Sequence, residues 1–204
     1  AREVEVTSYL ELALAPPTDD AAHPAFSKMF VQTEFLASRG LLLATRRRRH
    51  PDEAEIWAAH LVVAEGETIG DLHVETDRAQ FLGRGRGVGN AAAMVGGRPL
   101  SGTVGTVLDP VFSLRRRVRV APGTAVRLAF WTMAAESREE VLALADRQSD
   151  RAAFERAFTF AWTQAQVQLR HLAIRPGEAA CFQRLAGFLI HNDPRSRPPS
   201  EALR

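Results

Sequence analysis

The apolar residues of this chain change their spacing once, near Ala135, from every second position to every third or fourth, and do not change back. Strands first and helices last exclude alternating strand–helix–strand units around a parallel sheet, and leave two packed sheets followed by helices. Val4, Val6, Leu10, Leu12 and Leu14 alternate with Glu3, Glu5, Thr7, Tyr9 and Glu11, which predicts one half-buried strand over 4–14. Pro16 and Pro17 end it, 18–24 reads as a loop, and Met29, Val31 and Phe35 restart the two-residue period. Gly40 turns the chain into a third strand over 41–45. Over 56–64, and again over 126–133, both alternating sets are apolar, the pattern of a central strand covered on both faces. Glycines crowd 83–105 too densely for regular structure and predict a long functional or ordering loop.

Ser137, three residues ahead of Glu140, has the form of a capping box and predicts a short helix to about Arg147. Asp150 is placed to cap a second helix, whose stripe is Phe154, Phe158, Ala161, Ala165, Leu169 and Leu172. Pro176 and Gly177 break that helix. A third, over 178–191, carries Cys181, Phe182, Leu185, Phe188 and Leu189, and Pro194, Pro198 and Pro199 stop it. The expected organisation is a β-sandwich over 1–135, truncated at its N-terminal side, and a helical linker over 136–204 with a mobile polar end. At 46% hydrophobic, the chain has the material for one substantial core. Its longest apolar runs fall far short of the roughly 20 residues needed to cross a bilayer. The start at Ala1, with no leader ahead of the first strand, reads as a segment cut from a longer protein. The single cysteine, Cys181, permits no internal disulfide, and its apolar setting predicts a small buried side chain, which fits a reducing compartment.

Net charge is only +2, and of 26 basic residues only Lys28 is a lysine. That balance argues against a dedicated nucleic-acid binder. Arg46 to Arg49 could bind phosphate, but their place at a strand exit favours a solvated turn. Strand alternation puts Arg115, Arg117 and Arg119 on one face and leaves Arg116 among Phe112, Leu114, Val118 and Val120, where it must find a partner or reach an edge. The run Gly83-Arg84-Gly85-Arg86 is followed by no Lys-Ser/Thr pair, so it matches no nucleotide loop. The six histidines show no metal spacing; neither a metal nor a cofactor is expected. Glu11 and Glu34 could in principle form an acid–base pair for glycoside cleavage, although exposed strand glutamates are far commoner. Trp57, Trp131 and Trp162 could stack on sugar rings, but their apolar settings favour core packing. Glu75 and Asp77, close to Arg78, Arg84 and Arg86, could hold sugar hydroxyls through bidentate hydrogen bonds or pair with one another.

Several runs carry a resemblance. VEVTSYLE from Val4 to Glu11 and HPAFSKMFVQTE from His23 to Glu34 closely resemble the sandwich domain of the cellobiose-phosphorylase family, formerly glycosyltransferase family 36. ETDRAQFLGRGR from Glu75 to Arg86 looks like that domain's signature, as do GTVLDP from Gly105 to Pro110 and the stretch from Glu136 to Glu139. Within that family AWTQAQVQLR, from Ala161 to Arg170, and RLAG, from Arg184 to Gly187, most resemble the cyclic β-1,2-glucan synthases. The resemblance implies a two-sheet β super-sandwich of the galactose-mutarotase-like type followed by linker helices, mainly β with an α tail. It implies a parent that builds β-1,2-glucan from UDP-glucose at the cytoplasmic face of the inner membrane, with a phosphorylase-like region that adjusts chain length. The family's general acid belongs to a helical barrel expected after Arg204, so no catalytic residue carries over. The expected partners are β-glucan, that barrel and a second copy of the chain; nucleic acid and direct membrane contact are not expected. Because a sandwich loop reaches a neighbouring active site in some members, the substrate-binding candidates are Asp77, Arg78, Arg84 and Arg86. A purely structural spacer and dimerisation module is the alternative.

Overall fold

The computed structural model describes residues 1–191; the proline-rich end with Pro194, Pro198 and Pro199 lies outside them. The chain opens with strands β1 (Arg2–Thr7) and β2 (Leu10–Glu11), then two short helices, α1 (Pro17–Ala22) and α2 (Pro24–Lys28). Strands β3 (Val31–Leu36), β4 (Leu41–Arg46), β5 (Trp57–Glu65) and β6 (Glu67–Asp77) lead to helix α3 (Arg78–Leu82). After a long loop come β7 (Gly105–Thr106), β8 (Pro110–Val120) and β9 (Arg127–Ala135). Helices α4 (Arg138–Gln148), α5 (Arg151–His171) and α6 (Pro176–His191) follow.

The strands form two antiparallel sheets, as the order of periodicities requires. In one, β8 is central, flanked by β6 on one side and by β1 and β2 on the other. The second runs β7-β3-β4-β5-β9. Between them sits a core of Leu12, Val31, Leu42, Ala44, Ala58, Val74, Phe112 and Leu114. The opposite face of the five-stranded sheet presents Leu41, Leu43, Ala59 and Leu61 to Val141 and Ala145 of α4. That helix is the reason both alternating sets read as apolar.

Three expectations change here, and one strand is new. The strand expected over 4–14 is broken at Ser8 and Tyr9, because the Ser8 Oγ accepts the Leu114 N–H at 3.0 Å. The side chain thereby does what a continuous ladder's carbonyl would do. The loop expected over 18–24 is largely helical, each short helix beginning on a proline whose missing N–H costs nothing there. The strand over 126–133 is an edge of its sheet rather than central, its second apolar face being covered by α4. Nothing announced β6, since its register slips between Ile69 and His73 and again between Glu75 and Asp77, and each slip resets the two-residue alternation.

One histidine ties the sheets together. His60 on β5 is 3% exposed, its ring stacked against Phe112 at 5.8 Å and Phe130 at 6.0 Å. One ring nitrogen, Nδ1, is 2.8 Å from the Thr132 hydroxyl of the same sheet, and Nε2 is 2.9 Å from the Ser8 hydroxyl of the other. Burial pushes this imidazole down to about 4.

By its contacts the chain divides into a compact unit over Ala1–Phe154 and a second beginning at Glu155. Helix α4 starts as its capping serine predicts, Ser137 Oγ accepting the Glu140 N–H at 3.1 Å. Asp150 caps α5 through the Ala152 N–H at 3.0 Å. Helix α6 begins on Pro176 itself, and the Glu178 carboxylate accepts the Arg175 N–H at 2.8 Å. Cys181, expected to be buried, is exposed, and Trp162, expected to pack in a core, is 61% exposed. A helix with apolar residues on more than one face needs more than one neighbour to bury them. Among the described residues no helix is long and apolar enough to cross a membrane.

Candidate functional site

The segment singled out by sequence, Asp77 to Arg86, leaves β6, forms α3 and enters the long loop. Its base is Glu75, 2% exposed, whose two carboxylate oxygens are consumed locally. Oε1 accepts the N–H groups of Thr76 and Asp77, each at 3.0 Å, while Oε2 accepts the Ser101 N–H at 3.2 Å and the Ser101 hydroxyl. The far end of the loop is thereby tied to the strand from which it left. Arg115, 3% exposed, holds the middle: Nη1 donates to the Arg98 carbonyl at 2.7 Å, Nη2 to the Ala93 carbonyl at 2.5 Å, and Nε to the Thr7 hydroxyl at 2.8 Å. Close packing also constrains the loop at Gly83, where φ is +80° and an added Cβ would stand 2.7 Å from the Ala92 Cβ.

The four candidate residues do different things on this frame. Asp77 caps α3, accepting the Ala79 N–H at 2.8 Å. Arg78 donates from Nε to Glu11 at 2.9 Å, and its Nη1 is 3.4 Å from Asp109, which Lys28 also meets at 3.2 Å. Arg86 closes the loop on the Asn90 carbonyl at 3.4 Å. Arg84 is exposed and, among the described residues, has neither an ion pair nor a hydrogen bond. Three of the four therefore shape the segment, and one guanidinium is left to face outward.

Tyr9, which the sequence did not single out, completes the cluster by donating to Glu11 at 2.8 Å and laying its ring 4.7 Å from that of Phe81. The Arg78 guanidinium, and after it the Tyr9 hydroxyl, hold the Glu11 carboxyl below the usual carboxylate range. Burial, then the Glu11 carboxylate, pushes the Tyr9 phenol up to about 12. Tyr9 is the sole tyrosine, so near-ultraviolet difference spectra read it alone. Its ionisation is expected about two pH units above that of a free phenol, and Glu11→Gln brings the midpoint down. A midpoint near that of free tyrosine in the unaltered chain contradicts this geometry.

The other weighed features separate. Glu11 belongs to β2 in one sheet and Glu34 to β3 in the other, where Arg138 meets Glu34 at 3.2 Å, so each carboxylate has its own guanidinium. They form no facing pair. Arg117 and Arg119 make cross-strand ion pairs, with Glu5 at 2.5 Å, and with Glu3 at 3.0 Å and Glu67 at 2.7 Å. Arg116 reaches the Gly70 carbonyl at 3.3 Å. Arg46, expected in a solvated turn, is instead 8% exposed, drawn inward by the Ser27 carbonyl at 3.2 Å. Trp57 and Trp131 pack in the cluster beneath α4. Strand alternation placed Arg115 with its exposed neighbours; what buries it is the loop folding over, which alternation does not encode.

A family model described as the glycosyl hydrolase 94 supersandwich domain matches residues 1–151. The cyclic beta-(1,2)-glucan synthase NdvB of Rhizobium meliloti (strain 1021) is 43% identical over 203 residues, which is all of this chain and 7% of that protein. The chain thus spans a small part of the length of the curated relative it matches.

Proposed function

The chain belongs to the glycosyl hydrolase 94 supersandwich family, and from this we propose that it is the non-catalytic sandwich module of a cyclic β-1,2-glucan synthase, presenting Arg84 to a glucan. The observation that carries the reading is the division of labour in the Asp77–Arg86 segment. Buried Glu75 and Arg115 fix the loop, Asp77, Arg78 and Arg86 set its shape, and the exposed Arg84 guanidinium, unengaged among the described residues, is open to an external acceptor. A planar guanidinium suits a pair of sugar hydroxyls. That Glu11 and Glu34 are held in separate sheets, each by an arginine, supports assigning the bond-making acid to other parts of the longer protein. In this reading the sandwich of 1–135 is followed by a linker over 136–204 whose apolar side chains, Phe182, Phe188 and Leu189 among them, meet a helical barrel downstream. The parent works at the cytoplasmic face of the inner membrane.

Titrating linear and cyclic β-1,2-glucans into the 204-residue chain, and following backbone amide shifts, tests this. A saturable response centred on 83–90 is expected, weakened roughly tenfold by Arg84→Ala, the worth of one charged hydrogen bond. No localised response leaves the module a spacer, and phosphorolysis by the chain alone refutes its non-catalytic assignment.

A further inference from the structure

Two adjoining hollows of about 500 and 520 Å³ open beside α1 and α2, and Asp19 and Arg46 line both. Each falls within the roughly 300–1,000 Å³ that small-ligand sites occupy. Neither shares a lining residue with the Asp77–Arg86 segment.

Arg46 is the unusual member. It is more than nine-tenths buried; Nε is spent on the Ser27 carbonyl, Nη1 stands 3.6 Å from the Glu53 carboxylate, and Nη2 is buried with no hydrogen-bond partner. Buried polar groups are nearly always paired. An unspent donor on a residue common to both hollows marks a place for an acceptor that the described chain does not supply.

The surroundings narrow what that acceptor is. Arg49 meets Glu53 at 3.3 Å and Asp19 at 3.8 Å, so the two guanidiniums at the site are balanced by two carboxylates. An anion would have to displace one of those carboxylates; a neutral oxygen would not. The remaining wall is largely apolar, with Leu14, Pro16 and Ile56 in one hollow, and in the other the Phe26 ring, 60% exposed. Leu14 holds φ at +50°, an uncommon left-handed geometry for a side-chain-bearing residue, where the chain turns past the first hollow toward α1. Apolar walls edged by balanced charges fit a neutral ring with a hydrocarbon face and a rim of hydroxyls.

We propose that the hollows beside α1 and α2 are a pyranose-binding site, with a sugar hydroxyl accepting from Arg46, others donating to Asp19 and Glu53, and the ring lying against Phe26. Nη2 is shielded from solvent, so the guanidinium has to turn for it to reach the incoming oxygen. The proposal rests on the preceding reading only for the choice of a β-1,2-linked sugar as probe.

The test is a titration of the 204-residue chain with the β-1,2-linked glucose disaccharide, and separately with inorganic phosphate, followed by backbone amide shifts. Saturable changes are expected within 15–27 and 53–56 on adding the disaccharide, and none there on adding phosphate. Phe26→Ala, a change at an exposed ring that leaves the core intact, is expected to weaken disaccharide binding roughly tenfold. The proposal is overturned by a flat response to the disaccharide at these amides, by a response there to phosphate alone, or by undiminished affinity in the Phe26 variant. Shifts confined to 83–90 sink this site and leave the role of Arg84 standing, whereas shifts confined to the hollows do the reverse.

Discussion

Acidification from about pH 7 to about pH 4 is expected to lower the unfolding free energy by about 3 kcal/mol through His60 alone. In the folded chain this imidazole is held down to about 4 by burial, against an ordinary value of 6.5. Above pH 6.5 it is neutral in both states, and its contribution is fully present. As the pH falls below that value the unfolded chain takes up a proton that the folded chain refuses, so stability drains away until about pH 4, where the folded form is protonated as well. The difference of about 2.5 pH units, at about 1.4 kcal/mol per unit, sets the size of the loss. Carboxylates such as Glu11, whose range is lowered by Arg78, begin to lose their share only as the pH falls through about 4.5, so the interval from pH 6.5 to about 5 reports His60. Denaturant unfolding across this range checks the prediction. His60→Gln, which keeps a donor and an acceptor but cannot titrate, should be less stable at neutral pH and nearly level between pH 6.5 and 4.5. An unaltered chain equally level over that interval would show that His60 is not the neutral tie between the sheets.

Arg115→Met is expected to cost about 3–5 kcal/mol, because three part-buried acceptors lose a charged donor at about 1–3 kcal/mol each. The methionine fills much of the arginine's volume, so the loss reports the hydrogen bonds rather than a cavity. The carbonyls of Ala93 and Arg98 and the Thr7 hydroxyl lose their donor together. The consequence for the site is larger than the number suggests. With its middle released, the loop stays tied to β6 through the Glu75–Ser101 and Thr76–Thr103 contacts and the Gly102 N–H on the Val74 carbonyl, and amide hydrogens over 86–98 should exchange much faster while those of β4 and β5 keep their protection. Glu75→Gln is expected to be milder, about 2 kcal/mol, because the amide retains one acceptor oxygen for its four former donors. It should release 99–105 first. Unchanged exchange over 86–98 in the Arg115 variant would remove Arg115 as the support on which Arg84 depends.

The readable parts of this protein are those where one neighbour decides each residue. Alternation announced β3, the Gly40 turn β4 and two apolar sets β5, and the serine and aspartate caps announced α4 and α5, because each signal is local. Strand β6 was invisible, since two slips of register break its alternation, and the turn expected at Arg46 was misjudged, since Ser27 and Glu53 draw that guanidinium inward. The candidate segment was found through its motif, but the motif did not divide its labour. That Asp77 is a helix cap and Arg78 part of an ion cluster, while Arg84 is unengaged among the described residues, depends on Glu11, Asp109 and Asn90, residues near and far along the chain.

By itself the sequence determined the two-sheet sandwich followed by helices, because periodicity is a property of the chain that any fold must satisfy. It also determined the family, through runs long enough that chance does not assemble them. Only the tertiary structure decided which polar groups are buried. His60, Glu75, Arg46 and Arg115 look like ordinary surface residues on their own segments. They become interior when another sheet, a loop or a short helix closes over them, and no local pattern records what closes over a residue from elsewhere in the chain.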